Sequence, residues 1–181
     1  MARDRSRART SRSELRRLSA DRSAINARLT AIPNTYEELL HAAAMVGEPL
    51  SAEAVLAALE SQDPARRSYV GALERAIEKL INFIGEIADR GLLEAGRAGH
   101  PSANTEGKSF DRLREAGVIS RRQRDRLVQL VDVRNIIQHD YVEASPAQVT
   151  EAVRILRQDI HAVIRALDWW IKEIDRIGGD G

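Results

Sequence analysis

Apolar residues recur every three or four positions along two long stretches, and this spacing predicts two amphipathic helices. In the first, which covers about residues 66–90, the apolar stripe consists of Val70, Leu73, Ile77, Leu80, Ile84 and Ile87. In the second, the stripe consists of Val149, Val153, Leu156, Ile160, Val163, Leu167, Ile171 and Ile174. We expect Gly91 to end the first helix. We expect Ser145 to cap the second, because Pro146 and Gln148 follow at the positions that a capping box favours.

Shorter patterns predict further helices between these two. A capping box formed by Ser120 and Gln123 begins a helix that continues through Leu127 and Leu130 and ends near His139. Before it, residues 109–117 predict a short helix. Residues 95–109 carry glycines and polar residues and are expected to form a loop.

The first 65 residues contain weaker patterns. Residues 13–65 predict three short helices, the first ended by Pro33, the second begun by a Thr35 capping box, and the third capped by Ser51. Residues 1–12 alternate arginine with alanine and serine and have no apolar period, so we expect a disordered basic tail. This tail fits either a non-specific RNA-binding arm or a solvated terminus.

These patterns predict an all-α protein: an antiparallel bundle of four to five helices at residues 66–177, with an N-terminal helical extension at residues 13–65. The composition agrees with this interpretation. Hydrophobic residues make up 43% of the chain, which suffices for a core, and the low aromatic content of 4% favours helices over sheets.

Composition also excludes several functional classes. The chain has no cysteine, which rules out disulfides, thiolate metal sites and thiol nucleophiles. Its four histidines show no metal-binding spacing, so we expect neither a metal nor another cofactor. No apolar run approaches the length of a membrane span, and we expect a soluble cytoplasmic protein. The net charge of +1 excludes a globally basic nucleic-acid binder but leaves local basic patches possible.

The segment between the last two predicted helices concentrates the chemically useful groups of the chain. It contains Arg134, Asn135, His139 and Tyr141 within eight residues. An arginine offers a planar, permanently charged donor set that suits a phosphate, and a histidine can exchange protons near neutral pH. Together these groups are sufficient for cleaving RNA by attack of its own 2′-hydroxyl without a metal.

Spacing alone leaves a second interpretation open. On a regular helix Arg134 and His139 point about 140° apart, whereas Asn135 and His139 share a face. Arg134 and His139 could therefore simply satisfy helix-end carbonyls and pair with neighbouring aspartates.

The order Arg-Asn-x-x-x-His-x-Tyr between two apolar helices resembles the motif of HEPN-domain toxins, specifically the HepT family. Residues 110–120 and residues 75–91 resemble the segments that precede the motif in that family, and the resemblance covers residues 66–176. It implies a homodimeric toxin ribonuclease whose two motifs form one composite RNA-cleaving site. The implied roles are His139 as general acid or base, Arg134 at the pentacovalent phosphate, and Asn135 as an orienting residue.

The resemblance also implies a partner. In this family a minimal nucleotidyltransferase antitoxin transfers AMP to the motif tyrosine, here Tyr141, which would place negative charge beside the site. The alternative hypothesis is a catalytically silent HEPN-type module that binds nucleotides or a protein as a helical dimer. Its apolar stripes would look the same as those of the nuclease.

The densest basic cluster outside the tail lies at the start of the motif helix. It comprises Arg121, Arg122 and Arg124, which we consider as candidate RNA contacts. A solvated helix face explains the same cluster.

Overall fold

The computed structural model describes residues 12–96, 106–138 and 144–179, and in these ranges it is entirely helical apart from turns. Six helices follow one another: α1 (Arg12–Val46), α2 (Ala52–Leu59), α3 (Pro64–Glu94), α4 (Glu106–Glu115), α5 (Arg121–Gln138) and α6 (Pro146–Gly179). The predicted all-α helical bundle is therefore confirmed. Among the described residues, no helix is both long enough and apolar enough to cross a membrane.

The prediction that Pro33 divides the first helical region was wrong. Helix α1 runs without a break from Arg12 to Val46 and contains Pro33 on its exposed side. A proline inside a helix costs about 3 kcal/mol, because it removes one hydrogen bond and crowds the preceding turn. Ile32 and Tyr36, on either side of it, are buried in the core, and this packing outweighs the local penalty. Thr35 does not cap a helix; its hydroxyl donates to the Ala31 carbonyl at 3.2 Å.

Gly91 does not end the first long amphipathic helix, contrary to the sequence prediction. Helix α3 continues to Glu94, and Gly91 lies buried inside it. A Cβ atom at Gly91 would lie 2.5 Å from Cζ3 of Trp170 and 2.7 Å from Cδ1 of Ile171. Glycine is therefore required here for close approach of α6 to α3 rather than for a turn.

The polar segment at residues 95–109 also differs from its prediction at one end. Helix α4 already begins at Glu106, and Ser109 is fully buried and donates a hydrogen bond to the Asp89 carboxylate. Burial raises the pKa of Asp89, while the bond from Ser109 opposes that shift. Residues 97–105 of the predicted loop lie outside the described residues.

Four predicted helix boundaries were correct. Ser51 caps α2 by accepting from the Ala54 amide at 3.1 Å. Gly117 follows α4 with a φ of +73°, and the amide of Val118 donates back to the Leu113 carbonyl at 2.9 Å, which is the pattern of a glycine-terminated helix. The two predicted capping boxes, Ser120 with Gln123 and Ser145 with Gln148, both form reciprocal hydrogen bonds.

Helix α1 packs along α3 and also reaches α6. Arg22 of α1 lies 2.6 Å from the Glu94 carboxylate of α3 and donates to Asp175 of α6 at 2.7 Å. The Glu94 side chain is only 4% exposed, and burial raises its pKa while the Arg22 charge lowers it. Helix α1 is thus tied to α3 and α6 by a partly buried ionic cluster as well as by apolar contact.

Candidate functional site

Arg134 lies in the last turns of α5, five residues before His139, and its side chain is directed toward α3. The residue is half-buried, with buried apolar neighbours Leu130 and Val133 on the same helix. Helix α5 follows the Ser120 capping box without a break, and Leu127, Leu130 and Val131 bury its inner face. This packing fixes the rotation of the helix and therefore the direction in which Arg134 points.

A polar chain connects Arg134 to α3. Nη1 of Arg134 donates to the Gln138 side-chain oxygen at 3.2 Å, and the Gln138 amide nitrogen donates to the Glu78 carboxylate at 2.8 Å. Gln138 follows Arg134 by four residues, so the two side chains lie above one another on the same helix face. These two hydrogen bonds orient the Arg134 guanidinium at the end of α5.

Two opposing effects act on the Arg134 guanidinium. Burial lowers its pKa, and the nearby negative charge of Glu78 raises it. Because an arginine starts from a very high pKa, it stays protonated at neutral pH. Arg134 thus offers a positioned, partly desolvated positive charge, and such charges interact with phosphates more strongly than solvated ones.

Asn135 occupies a different face of the same helix. Its side chain is exposed, and successive residues of a helix are rotated by about 100°. Arg134 and Asn135 therefore do not converge on one point within a single protomer. His139 and Tyr141, the other two predicted site residues, lie outside the described residues, and their assigned roles stay predictions.

The candidate RNA contacts at the start of α5 differ from one another. Arg121 and Arg122 are exposed, and Arg121 has only a distant partner, Asp125 at 3.9 Å. Arg124 instead donates to Asp111 at 2.8 Å and to Asp125 at 3.0 Å, and these bonds raise its pKa. Its charge is already compensated, so Arg121 and Arg122 are the better candidates for binding RNA.

The part of the chain that carries this geometry matches a known protein family. The family model described as "Ribonuclease HepT-like" matches residues 50–167, which include α2 to α5, the whole Arg134–Tyr141 motif and most of α6. The chain belongs to the HepT-like ribonuclease family. No curated protein and no solved structure matches the chain. Helix α1 lies outside the family match.

An open cleft lies between the second half of α5 and the first turns of α6 of this HepT-like protein. Its volume is about 270 Å³, and it is lined by Gln129, Asp132, Val133, Ala147, Gln148 and Glu151. The segment that carries His139 and Tyr141 connects these same two helices. Arg154 donates a hydrogen bond to the Glu151 carboxylate and thereby lowers the pKa of Glu151. This carboxylate is therefore an anion that is paired with Arg154.

Sequence reasoning missed two residues of the candidate site, Gln138 and Glu78. Gln138 could have been found, because a polar residue four positions after Arg134 on the same helix is within reach of its side chain. Glu78 could not, because its contact with Gln138 depends on how α3 and α5 pack. Among the described residues, no group of three or more histidine or acidic side chains has the arrangement of a metal site.

Proposed function

We propose that this protein is the toxin of a toxin–antitoxin system and a metal-independent endoribonuclease. Two observations support the proposal. The HepT-like family match includes the complete Arg-Asn-x-x-x-His-x-Tyr motif. Arg134 lies near the end of α5, where Gln138 links it to Glu78, and the segment that carries His139 follows immediately.

The positioned guanidinium of Arg134 is the observation that carries the chemistry. In the proposed reaction, a neutral His139 removes the proton of a ribose 2′-hydroxyl, and the 2′-oxygen attacks the adjacent phosphorus. A protonated histidine donates to the departing 5′-oxygen, so the products are a 2′,3′-cyclic phosphate and a 5′-hydroxyl. Arg134 stabilises the extra negative charge of the pentacovalent intermediate, and its fixed orientation means that no reorganisation is needed when that charge develops.

We propose further that the active form is a homodimer with one composite site. The motif of one protomer has a single histidine, His139, whereas the reaction uses a base and an acid. A two-fold axis beside the ends of the α5 helices would bring two copies of the motif together and supply both groups. The exposed position of Asn135, about 100° from Arg134, suits a residue that faces a second copy and orients its histidine or the phosphate.

Regulation is proposed to act on Tyr141. A nucleotidyltransferase antitoxin would transfer AMP from ATP to the phenolic oxygen, with pyrophosphate as the leaving group. Each transferred AMP adds a negative charge and considerable bulk beside the proposed cleavage site, and both oppose binding of the RNA phosphate. The modified toxin would therefore be inactive while still folded.

The proposal is tested by incubating purified wild type, Arg134→Ala and His139→Ala with total RNA in the presence of EDTA. We expect cleavage by the wild type only, while circular dichroism shows that both variants keep the helical fold. Cleavage that persists in His139→Ala, or that disappears from the wild type on adding EDTA, would refute the proposed mechanism. Absence of cleavage by every form with any RNA would favour the catalytically silent binding module.

A further inference from the structure

The outward face of α6 carries more positive charge than the composition of the helix suggests. Among its described side chains, residues 146–176, acidic and basic residues are equal in number. Each acidic residue, however, has a cationic partner. Within α6, Glu151 pairs with Arg154, Asp168 with Lys172, and Glu173 with Arg176; the partners of Asp159 and Asp175 are Arg126 of α5 and Arg22 of α1.

This pairing leaves two arginines of α6 uncompensated. Because other helices supply the partners of Asp159 and Asp175, no carboxylate of the described residues lies within ion-pair distance of Arg157 or Arg165. Both arginines are exposed. They are eight residues apart, so their Cα atoms are separated by about 12 Å along the helix.

Aromatic side chains alternate with these cations. His161 lies midway between Arg157 and Arg165, is exposed at its outer side, and packs edge-on against Tyr36 with 5.0 Å between ring centroids. Trp169 follows Arg165 by four residues and is 65% exposed. Its neighbour Trp170 is only 7% exposed and packs against Gly91. Burial of Trp170 fixes the helix rotation and keeps the Trp169 indole in solvent.

The four residues Arg157, His161, Arg165 and Trp169 form a row, which we call the α6 strip. Successive members are four residues apart, which advances about 6 Å and rotates by only about 40° per step. The α6 strip turns by about 120° from Arg157 to Trp169, so that its first three members face away from α5 and Trp169 lies at the edge of that face. Asp159 marks the α5 side by pairing with Arg126, and His161 is rotated about 160° from Asp159.

We propose that the α6 strip binds single-stranded RNA outside the cleavage site. The inference rests on the proposed ribonuclease function and identifies a substrate-binding surface for it. Proteins that bind single strands without sequence preference combine cations along the backbone with exposed aromatic rings on which bases stack. Arg157 and Arg165 supply the cations, and Trp169 supplies the ring. An acidic protein surface would use the arginines but would not require an exposed indole in the same row.

The test is binding of a 12-nucleotide 2′-O-methyl oligouridylate to the full-length protein. This probe cannot be cleaved by 2′-oxygen attack, so binding is measured apart from catalysis. Because Trp169 and Trp170 are the tryptophans of the chain and Trp170 is buried, we expect the probe to quench the fluorescence of Trp169. Trp169→Ala should remove that quenching and, because the stacking ring is lost, weaken binding about fivefold or more.

Arg157→Gln combined with Arg165→Gln should weaken binding of the same probe. If each arginine neutralises one phosphate, the slope of log K against log salt falls in magnitude by about 1.4 in the variant. For forms that bind equally at about 1 M salt, this slope difference corresponds to about 25-fold weaker binding by the variant at about 0.1 M salt. The matched control is Arg66→Gln combined with Arg67→Gln, which removes the same charge from exposed positions in the first turn of α3. The control should change affinity by less than about threefold.

Three results would overturn the inference: no binding by the wild type, no change in the α6 variant, or an equal change in the control. Unchanged binding in the α6 variant would make an acidic protein the ligand class to test next. The outcome is separable from the proposed function. Cleavage in EDTA without binding through the strip contradicts only this inference, whereas strip-dependent binding without cleavage contradicts only the ribonuclease.

Discussion

Replacing Gly91 by alanine tests how α3 and α6 pack, because the structure leaves no space for the added methyl group. The new Cβ would lie 2.5 Å and 2.9 Å from two ring atoms of Trp170, and 2.7 Å from Cδ1 of Ile171. Overpacking a core typically lowers stability by about 1–3 kcal/mol. Because the added methyl group meets a buried ring, we expect the packing cost of Gly91→Ala to be about 3 kcal/mol. The better helix propensity of alanine returns about 1 kcal/mol.

We therefore expect Gly91→Ala to lower the free energy of unfolding by about 2 kcal/mol. For a chain of this length, that loss corresponds to a decrease of about 4–8 °C in Tm. The matched control is Gly71→Ala in the same helix, where the nearest atom to an added Cβ is Nη1 of Arg75 at 3.7 Å. With no clash, the control should gain up to about 1 kcal/mol. Both values are measured by urea unfolding followed by circular dichroism.

A double-mutant cycle with Trp170→Leu separates packing from backbone effects. Leucine lacks the ring atoms that crowd Gly91, so Gly91→Ala should cost at least about 1 kcal/mol less in this background. Additive effects, or a stabilising Gly91→Ala single variant, would show that α3 and α6 do not pack as described. The same result would remove the argument that Trp170 holds the Trp169 indole in solvent.

Three further predictions concern the site and the core. Gln138→Leu should reduce ribonuclease activity about tenfold or more with little change in stability, because the Arg134 side chain loses the hydrogen bond that orients it. Cleavage rates and urea unfolding measure the two effects. Unchanged activity would contradict the positioning role of Gln138. Tyr141→Phe should keep most ribonuclease activity but escape neutralisation by the co-expressed nucleotidyltransferase, and a mass gain of AMP on this variant would exclude Tyr141 as the acceptor. Asp89→Asn keeps the acceptor for Ser109 and removes a buried charge. The folded-state pKa of Asp89 is raised, so the native state holds its proton longer and wild-type stability falls as pH rises through that range. The variant should therefore gain stability relative to wild type as pH rises from the unfolded-state pKa of Asp89 through its raised folded-state pKa, and equal pH profiles would contradict it.

Local signals in the sequence predicted the helix boundaries that depend on a few neighbouring residues. The capping boxes at Ser120 and Ser145 were correct because a serine and a glutamine three residues apart can satisfy each other's backbone amides without outside help. Pro33 and Gly91 were misjudged for the opposite reason. Each is unfavourable locally, yet each lies inside a helix because its neighbours are buried against another helix.

The candidate site shows the same division. Arg134 and Asn135 could be selected from the sequence, since the motif is contiguous and lies at the end of an apolar helix. The part played by Glu78 could not, because Glu78 precedes Gln138 by 60 residues and meets it only through the packing of α3 on α5. The α6 strip was also hidden, because the charges of α6 balance in the sequence and separate only when Arg22 and Arg126 engage two of its carboxylates.

The most direct test of the central claim is the chemistry of the RNA ends that the protein leaves. Wild-type protein is incubated in EDTA with a defined RNA that it cleaves, and with the same RNA carrying a 2′-O-methyl group at the scissile nucleotide. The proposed mechanism predicts a 2′,3′-cyclic phosphate and a 5′-hydroxyl from the first RNA, detected by mass spectrometry, and no cleavage of the second. Cleavage of the methylated RNA, or a 5′-phosphate on the product, would contradict attack by the 2′-hydroxyl and with it the assigned roles of Arg134 and His139.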